Sequence, residues 1–500
     1  MPPEKQPNII FLVWDACRLD YAEEHAPNLR RLANERGTWF ENAVAPATWS
    51  LPSHASMFTG KYPHEHGMTQ PSQSTMPADL VSHLNQEGYS CYAVSGNGFT
   101  SRRWGFDEEF DYLRFTQGPE PYGDGKEMYG YLRGKLEHEN ESMASALSDA
   151  LSECVSHENT LKSMVNLTSV AVNHASREVF SGLQRMPSPV FRDGPRYSYS
   201  GRKNTESIKR ILNQESETED PFFLFSNYME THRPYVPDED LQPKHIGEIP
   251  DHDELIRLNE TIAESWSFIE LVENGELNEE DVRKIRSLYA GEVETADRYL
   301  GALLDELESQ NMLNETIVVV TADHGEMLGE EDSLGRRRIG HQAAMSENLS
   351  RVPLVVTHPE AQHGVVDRYA SLKDLFGLFL GAAREGTVSI DQLFSDDGVL
   401  CEYPALGDER MYEEHPQIPD EIVVQRVSQD SVSAHSDGWY LVMNSSGEKI
   451  AERDGNKTDI GNASKGLAEL ADSSLKELSK LQKKDINEDT AAHLEDLGYM

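Results

Sequence analysis

Cysteine is scarce in this chain, and the four present, Cys17, Cys91, Cys154 and Cys401, form no CxxC pair or other metal-ligand spacing. That spread excludes a disulfide framework and a cysteine-ligated zinc site, and marks them as ordinary thiols. Long apolar runs are missing as well. The longest, Ile9 to Trp14 and Leu375 to Ala383, fall well short of the roughly 20 residues a membrane-spanning helix needs. The opening MPPEKQPN lacks the apolar core of a secretory signal and runs directly into a candidate strand, so nothing removable and a cytoplasmic location are expected. Basic residues are few: 45 Lys and Arg against 87 Asp and Glu give a formal charge of -42, spread along the chain. Such a surface repels nucleic acid and anionic membranes, which leaves neither as an expected partner. It is also the composition that stays soluble in concentrated salt, where charge is screened over a few ångströms, and it points to a salt-loving source.

What is present is an α/β rhythm. Asn8 to Trp14 is a continuous apolar run ended by Asp15, as in a strand buried on both faces of a parallel sheet. Pro27 to Gly37 has proline at a helix start and glycine at its end, and Leu80 to Gly88 leads into the strand Ser90 to Gly96. Further strands are expected at Pro221 to Met229, Thr316 to Asp323 and Val352 to His358, with a helix from Val282 to Ser309 between the first two. These fit one large doubly wound α/β domain over residues 1–380. Within it, 112–216 breaks the rhythm, being polar, with helical spacing from Met143 to Val179 and a turn-rich tail PSPVFRDGPRYSYSG; it reads as an insertion lying over the sheet. Residues 381–500 read as a small C-terminal α+β subdomain, with an antiparallel pair VSAHSDGWYLVMN and GEKIAERDG and a charged helix Leu475 to Lys484. No repeat or flexible linker separates the units.

In open α/β sheets ligands gather beyond the carboxyl ends of the strands. Asp15 ends the first strand, and Asp323 and His324 end TIVVVTADHGE. Two carboxylates and an imidazole meeting there suit a divalent cation such as Ca²⁺, Mg²⁺ or Mn²⁺, although an Asp after a strand serves equally often as a helix cap. In APATWSLPSHASMFTGKYPHEHG, Pro52 sits in the first turn of an expected helix and Ser50 at its start. Amide groups and the helix dipole favour an anion there, where a nucleophile for a sulfate or phosphate ester belongs; SLPSH alone reads equally as a capped helix. His64 and His66 are read as turn residues supporting that helix.

The segments NIIFLVWDACRLD, APNLRRLANERGTWFENAVAPATWSLPSHASMFTGKYPHEHG, PFFLFSNYMETHRPYVP, TIVVVTADHGE and ENLSRVPLVVTHP follow one another as in the sulfatase family of the alkaline-phosphatase superfamily, and the chain resembles that family from Asn8 to His358. The ending LEDLGYM is similar too. With its acidic composition, the chain looks like a haloarchaeal-type member. The resemblance implies an alkaline-phosphatase-like fold, with Asp15, Asp323 and His324 as metal ligands and Ser50 as nucleophile, either unmodified or oxidised to formylglycine. Where many sulfatases carry a second Asp and an Asn, this chain has Ala16 and His324. His232 and His341 match positions that contact the anionic group or act as general acid. His54 stands where the formylglycine signature ends in Arg, and Asn97 replaces the usual lysine-histidine pair after the Ser90 to Gly96 strand; both are expected to contact substrate.

The resemblance thus implies hydrolysis of a sulfate monoester on a small molecule or glycan, with one divalent ion, Ca²⁺ in that case. His324 and His54 also fit a phosphodiesterase, phosphonate-ester hydrolase or phosphoryl-group transferase using unmodified Ser50 with Mn²⁺ or Mg²⁺. A non-catalytic binding protein on the same fold is the third reading, kept open by the missing basic pair.

Overall fold

The structure is a computed structural model; it describes residues 6–70, 75–117, 142–157, 159–180, 200–238, 252–263, 277–335, 337–341, 344–357, 364–405 and 429–481, with a few isolated positions between them. Its strands are β1 (Asn8–Trp14), β2 (Gly37–Val44), β3 (Ser90–Ser95), β4 (Tyr112–Phe115), β5 (Phe222–Tyr228), β6 (Thr316–Thr321), β7 (Met327–Glu331), β8 (Arg337–Gly340), β9 (Leu354–Thr357), β10 (Gly364–Ser371), β11 (Val399–Tyr403), β12 (Ser431–Ser436), β13 (Trp439–Asn444), β14 (Lys449–Arg453) and β15 (Asn456–Thr458). The helices that matter below are α1 (Leu19–His25), α2 (Pro27–Arg36), α3 (Ser50–Thr59), α4 (Pro63–His66), α5 (Asp79–Gln86), α6 (Met143–Ser156), α7 (Thr160–Phe180), α8 (Ser200–Glu215), α9 (His252–Ala263), α10 (Glu279–Ser309), α11 (Glu347–Ser350), α12 (Leu375–Glu385) and α13 (Lys465–Leu478).

Eight strands form the main sheet in the order β10-β2-β9-β6-β1-β5-β3-β4. All neighbours run parallel except β9, which is antiparallel to both β2 and β6. In β1, β5 and β6 nearly every residue is buried, because helices cover both faces. Helices α1, α2, α8 and α10 contact one another on one side, and α3, α5 and α12 on the other. Phe11 of β1 meets Phe225 of β5 and Phe379 of α12 with ring centroids 5.6 and 5.1 Å apart, joining the central strands to that second layer. Each such buried side chain contributes about 1.5–3 kcal/mol relative to exposure.

Local chemistry sets the helix ends. Pro27 opens α2 at a position whose missing N–H costs nothing. The Asn278 side chain accepts from the Glu280 and Asp281 amides, and the acidic first turn complements the dipole of the long α10.

Several boundaries differ from the sequence reading. The stretch 112–216 begins with β4, an edge strand of the main sheet, and ends in α8, whose apolar face packs on β3, β5 and α10. Among the described residues, α6 and α7 share a small separate core with Met128 and Leu132, around Ala146, Ala150, Cys154 and Leu167. Most of the turn-rich tail, up to residue 199, lies outside the described residues. Position 380 falls inside α12, which packs into the main core. VSAHSDGWYLVMN is itself a hairpin, β12 to β13, turning at Asp437 and Gly438 with φ of 44° and 77°, and β11, β14 and β15 extend it to a five-stranded sheet. The helix against that sheet is α13, which starts ten residues before the expected Leu475 because Ser464 caps it at the Leu467 amide.

Candidate active site

The sheet order β5-β1-β6 puts three carboxyl ends side by side. Asp15 follows β1 directly, its amide still bonded to Tyr228 O at 2.8 Å, and Asp323 lies two residues past β6. Ala16 adopts a left-handed φ of 60°, which turns its N–H onto Asp323 Oδ1 at 3.0 Å and so ties the two tips together. From above, α3 begins at Ser50, and Ser53 Oγ donates to the Asp323 carbonyl at 2.6 Å, pinning the helix start to the β6 tip. Thr231 Oγ1 holds the Asp15 carbonyl at 2.6 Å from the β5 side.

Within this frame Ser50 Oγ lies 3.5 Å from Asp15 Oδ2 and 3.3 Å from His324 Nε2. His324 Nδ1 meets the Gly325 carbonyl at 2.8 Å, so that nitrogen carries the proton and the Nε2 lone pair points to the carboxylates, 4.0 Å from Asp15 Oδ1 and 3.5 Å from Asp323 Oδ2. Ligand atoms of Asp15, Asp323 and His324 all lie within 4.8 Å of one another. Gly325 is required here: a Cβ would stand 1.9 Å from the Asn348 carbonyl oxygen of α11.

Electrostatics test whether a cation belongs. Burial pushes the Asp15 carboxyl well above its usual range, and the Asp323 charge adds to that, against hydrogen bonds from Asn97 and Asn227. Burial acts on Asp323 too, but the imidazoles of His324 and His54 when charged, with the Ser50 hydroxyl and Ala16 amide, outweigh it and hold Asp323 low. Asp15 Oδ1 and Asp323 Oδ2 are buried without a hydrogen-bond partner. Two such oxygens beside an imidazole lone pair fit a divalent ion, which would satisfy both and remove their mutual repulsion.

The other expected site residues are also brought close. Asn97, expected to touch substrate, donates to Asp15 Oδ2 at 2.5 Å, and its own Oδ1 caps the turn at Phe99. His54, expected at the substrate, is buried beneath α3: Nδ1 donates to the Ser50 carbonyl at 2.9 Å and Nε2 accepts from Asn227 at 3.2 Å. Burial also lowers its pKa and so favours a neutral ring where the family signature carries Arg. His232 and His341 do face the centre, forming a row of imidazoles with His324; ring centroids are 5.5 Å apart for His232 and His341, and 4.3 Å for His341 and His324. Both were considered as protonated groups, yet burial pulls His232 down to about 3 and His341 well below its usual value. Burial thus favours the neutral ring at both. Of the two supporting histidines, His66 bonds Ser56 Oγ of α3 at 3.0 Å, whereas His64 reaches Glu402 of β11 at 2.5 Å.

Two residues escaped the sequence reading. Asn227, in β5, donates to both Asp15 Oδ2 and His54 Nε2. Glu326, two residues past His324, meets His341 Nδ1 at 3.1 Å and accepts from the Tyr235 hydroxyl at 3.2 Å. A polar residue at the carboxyl end of an apolar strand, the sign that singled out Asp15 and Asp323, was present in Asn227 as well.

Fold and strand-tip chemistry together define a hydrolase of the alkaline-phosphatase-like class. Residues 7–385 match the family model described as Sulfatase, and the chain belongs to the sulfatase family; it is an enzyme of the sulfatase-like ester-hydrolase kind. It is similar to the choline-sulfatase of Rhizobium meliloti, 24% identical over 80% of this chain and 73% of that one. It is also similar to an N-acetylglucosamine-6-O-sulfatase of Bacteroides thetaiotaomicron, 25% identical over 71% of this chain and 64% of that protein. Among solved structures, the phosphonate monoester hydrolase of Agrobacterium radiobacter superposes with a TM-score of 0.59 at 16% identity, covering 97% of this chain and 99% of the other. No described helix is long and apolar enough to cross a membrane.

Proposed function

We propose that this enzyme hydrolyses a singly charged anionic ester, foremost a sulfate monoester of a small molecule or sugar, with residue 50 as nucleophile. The observation that carries the reading is Ser50 Oγ standing 3.3 Å from His324 Nε2 and 3.5 Å from Asp15 Oδ2 at the start of α3. The dipole of α3 favours an anion at Ser50. Asp15, Asp323 and His324 would hold a divalent ion, which when bound neutralises charge on the ester and lowers the pKa of the attacking hydroxyl. A donor set with an imidazole beside two carboxylates suits Mn²⁺ better than Ca²⁺, which prefers six to eight oxygens. With His54, His232 and His341 neutral, fixed positive charge in the site is sparse, which favours a monoanion over the dianion of a phosphate monoester. The choline- and N-acetylglucosamine-6-O-sulfatase relatives support a sulfate ester.

A second reading is a phosphonate monoester or phosphodiester, also monoanions, attacked by unmodified Ser50. His54 favours it, since one ring nitrogen is engaged by the Ser50 main-chain carbonyl and the other by Asn227, so neither serves the Ser50 side chain as the signature's arginine would. Mass spectrometry of the Ser50 peptide, with turnover of aryl sulfate, phosphonate monoester and phosphodiester probes in Mn²⁺, Mg²⁺ or Ca²⁺, separates the two. Formylglycine with sulfate release supports the first, and phosphorus ester turnover by plain serine the second. An unmodified serine with no turnover of any probe would sink both.

A further inference from the structure

Glu326 is buried two residues beyond His324, and nothing in the chemistry at Ser50 yet uses it. Its Oε1 lies 3.1 Å from His341 Nδ1, its Oε2 accepts from the Tyr235 hydroxyl at 3.2 Å, and its carbonyl accepts from Arg18 Nη1 at 3.3 Å. Arg18 is itself fixed by Glu330 and Asp20. The main chain of Glu326 is therefore held from the β1 tip, and its carboxylate from the loop after β5. An imidazole nitrogen facing an ionised carboxylate carries the proton, so the contact with the charged form of Glu326 selects one tautomer and one ring orientation.

We propose that Glu326 is a positioning residue for the reaction at Ser50: it holds His341 in the Nδ1–H form, leaving the Nε2 edge, turned away from Glu326, as a hydrogen-bond acceptor toward the ester. The inference rests on the ester chemistry proposed above. It assigns His341 the job of accepting a hydrogen bond from a hydroxyl or water beside the ester, and it makes the group that sets this job a carboxylate that never meets substrate. His232 carries the same arrangement in simpler form, its Nδ1 held by the Arg233 carbonyl at 2.8 Å.

A double-mutant cycle tests it on whichever ester the metal-loaded wild-type enzyme turns over. Glu326→Gln keeps size and an acceptor but allows the other tautomer, and should lower kcat about 10- to 100-fold with KM within about threefold of wild type. In a His341→Ala background the same substitution should change kcat no further, because its route is gone. Losses that multiply in the double variant, or a loss confined to KM, would overturn the proposal. ¹⁵N-histidine spectra of the holoprotein with a diamagnetic divalent ion give a readout independent of turnover, with His341 assigned by its absence in His341→Ala. A protonated Nδ1 and bare Nε2 in wild type support the assignment, and an Nε2–H form overturns it. If no ester is turned over, the ester reading falls, while the spectra still decide the role of Glu326.

Discussion

Ser50 Oγ and His324 Nε2 lie 3.3 Å apart although 274 residues separate them in the chain. One begins a helix and the other follows a strand, and the sheet order is what makes them neighbours. Because the contact joins the proposed nucleophile to the proposed ligand set, damage to either should be felt by both.

Ser50→Ala is expected to abolish turnover, by about 10³-fold or more, since no other hydroxyl replaces the nucleophile. The melting temperature should move little, because only one oxygen is removed from a site whose frame is held by Ser53 and Ala16. Steady-state kinetics beside thermal melts check this, and retained activity in the alanine variant would contradict it.

Removing the metal should destabilise the fold. Asp15 and Asp323 would keep buried oxygens without partners, and a ligand at a hundred times its Kd contributes about 2.7 kcal/mol. Melting in excess chelator should fall by several degrees and recover on adding Mn²⁺. Asp323→Asn should show no recovery and no stoichiometric metal by elemental analysis.

Gly325→Ala places a methyl group where the Asn348 carbonyl stands. Moving α11 to admit it is expected to cost about 1–3 kcal/mol and to shift His324 out of line. Metal content should drop with stability, and an alanine variant that binds metal normally would show that the close approach is dispensable.

The seam between α4 and the second sheet should weaken as pH rises. Burial opposes charge on His64, but the hydrogen bond and charge of Glu402, with Glu65 and Glu477, outweigh it and raise its pKa. A raised folded value means the stabilisation is full below the unfolded value of about 6.5 and is lost as pH climbs through the folded one. The melting-temperature gap between wild type and His64→Gln should therefore be widest near pH 5.5 and narrow toward about pH 9. A gap that widens with pH would contradict the pairing.

With a net charge of -42, self-repulsion should be relieved by salt. Melting temperature is expected to rise as KCl goes from about 0.1 M to about 2 M, where the Debye length falls below about 3 Å. Calorimetry checks it, and a flat or falling trend would remove the salt-loving reading.

Much of this was legible because burial on both faces writes an unmistakable apolar run, as in β1, β5 and β6, and because the chemistry sits where those runs stop. Strand direction was not legible: LVVT of β9 reads the same whether parallel or antiparallel, and pairing alone decides. Nor was β10, an edge strand exposed over most of its length, with no apolar face to announce it. The protein partners of Asn97 and His54 were not legible, for a physical reason. Each lies in a motif near the centre, but whether an amide or imidazole turns outward or braces a carboxylate depends on partners such as Asn227, distant in sequence.

The reversed course of β9 bears on how this enzyme family can change. Thr321 and Leu354 are register partners, so the chain leaves β6 and comes home beside its own point of departure. Everything between them, the ligand pair, the β7–β8 ribbon, His341 and α11, is one loop whose ends are already clamped. Lengthening such a loop costs only about 0.6 kcal/mol per doubling. One wall of the pocket can thus be resized, or exchanged whole, while the strands beneath it keep their places.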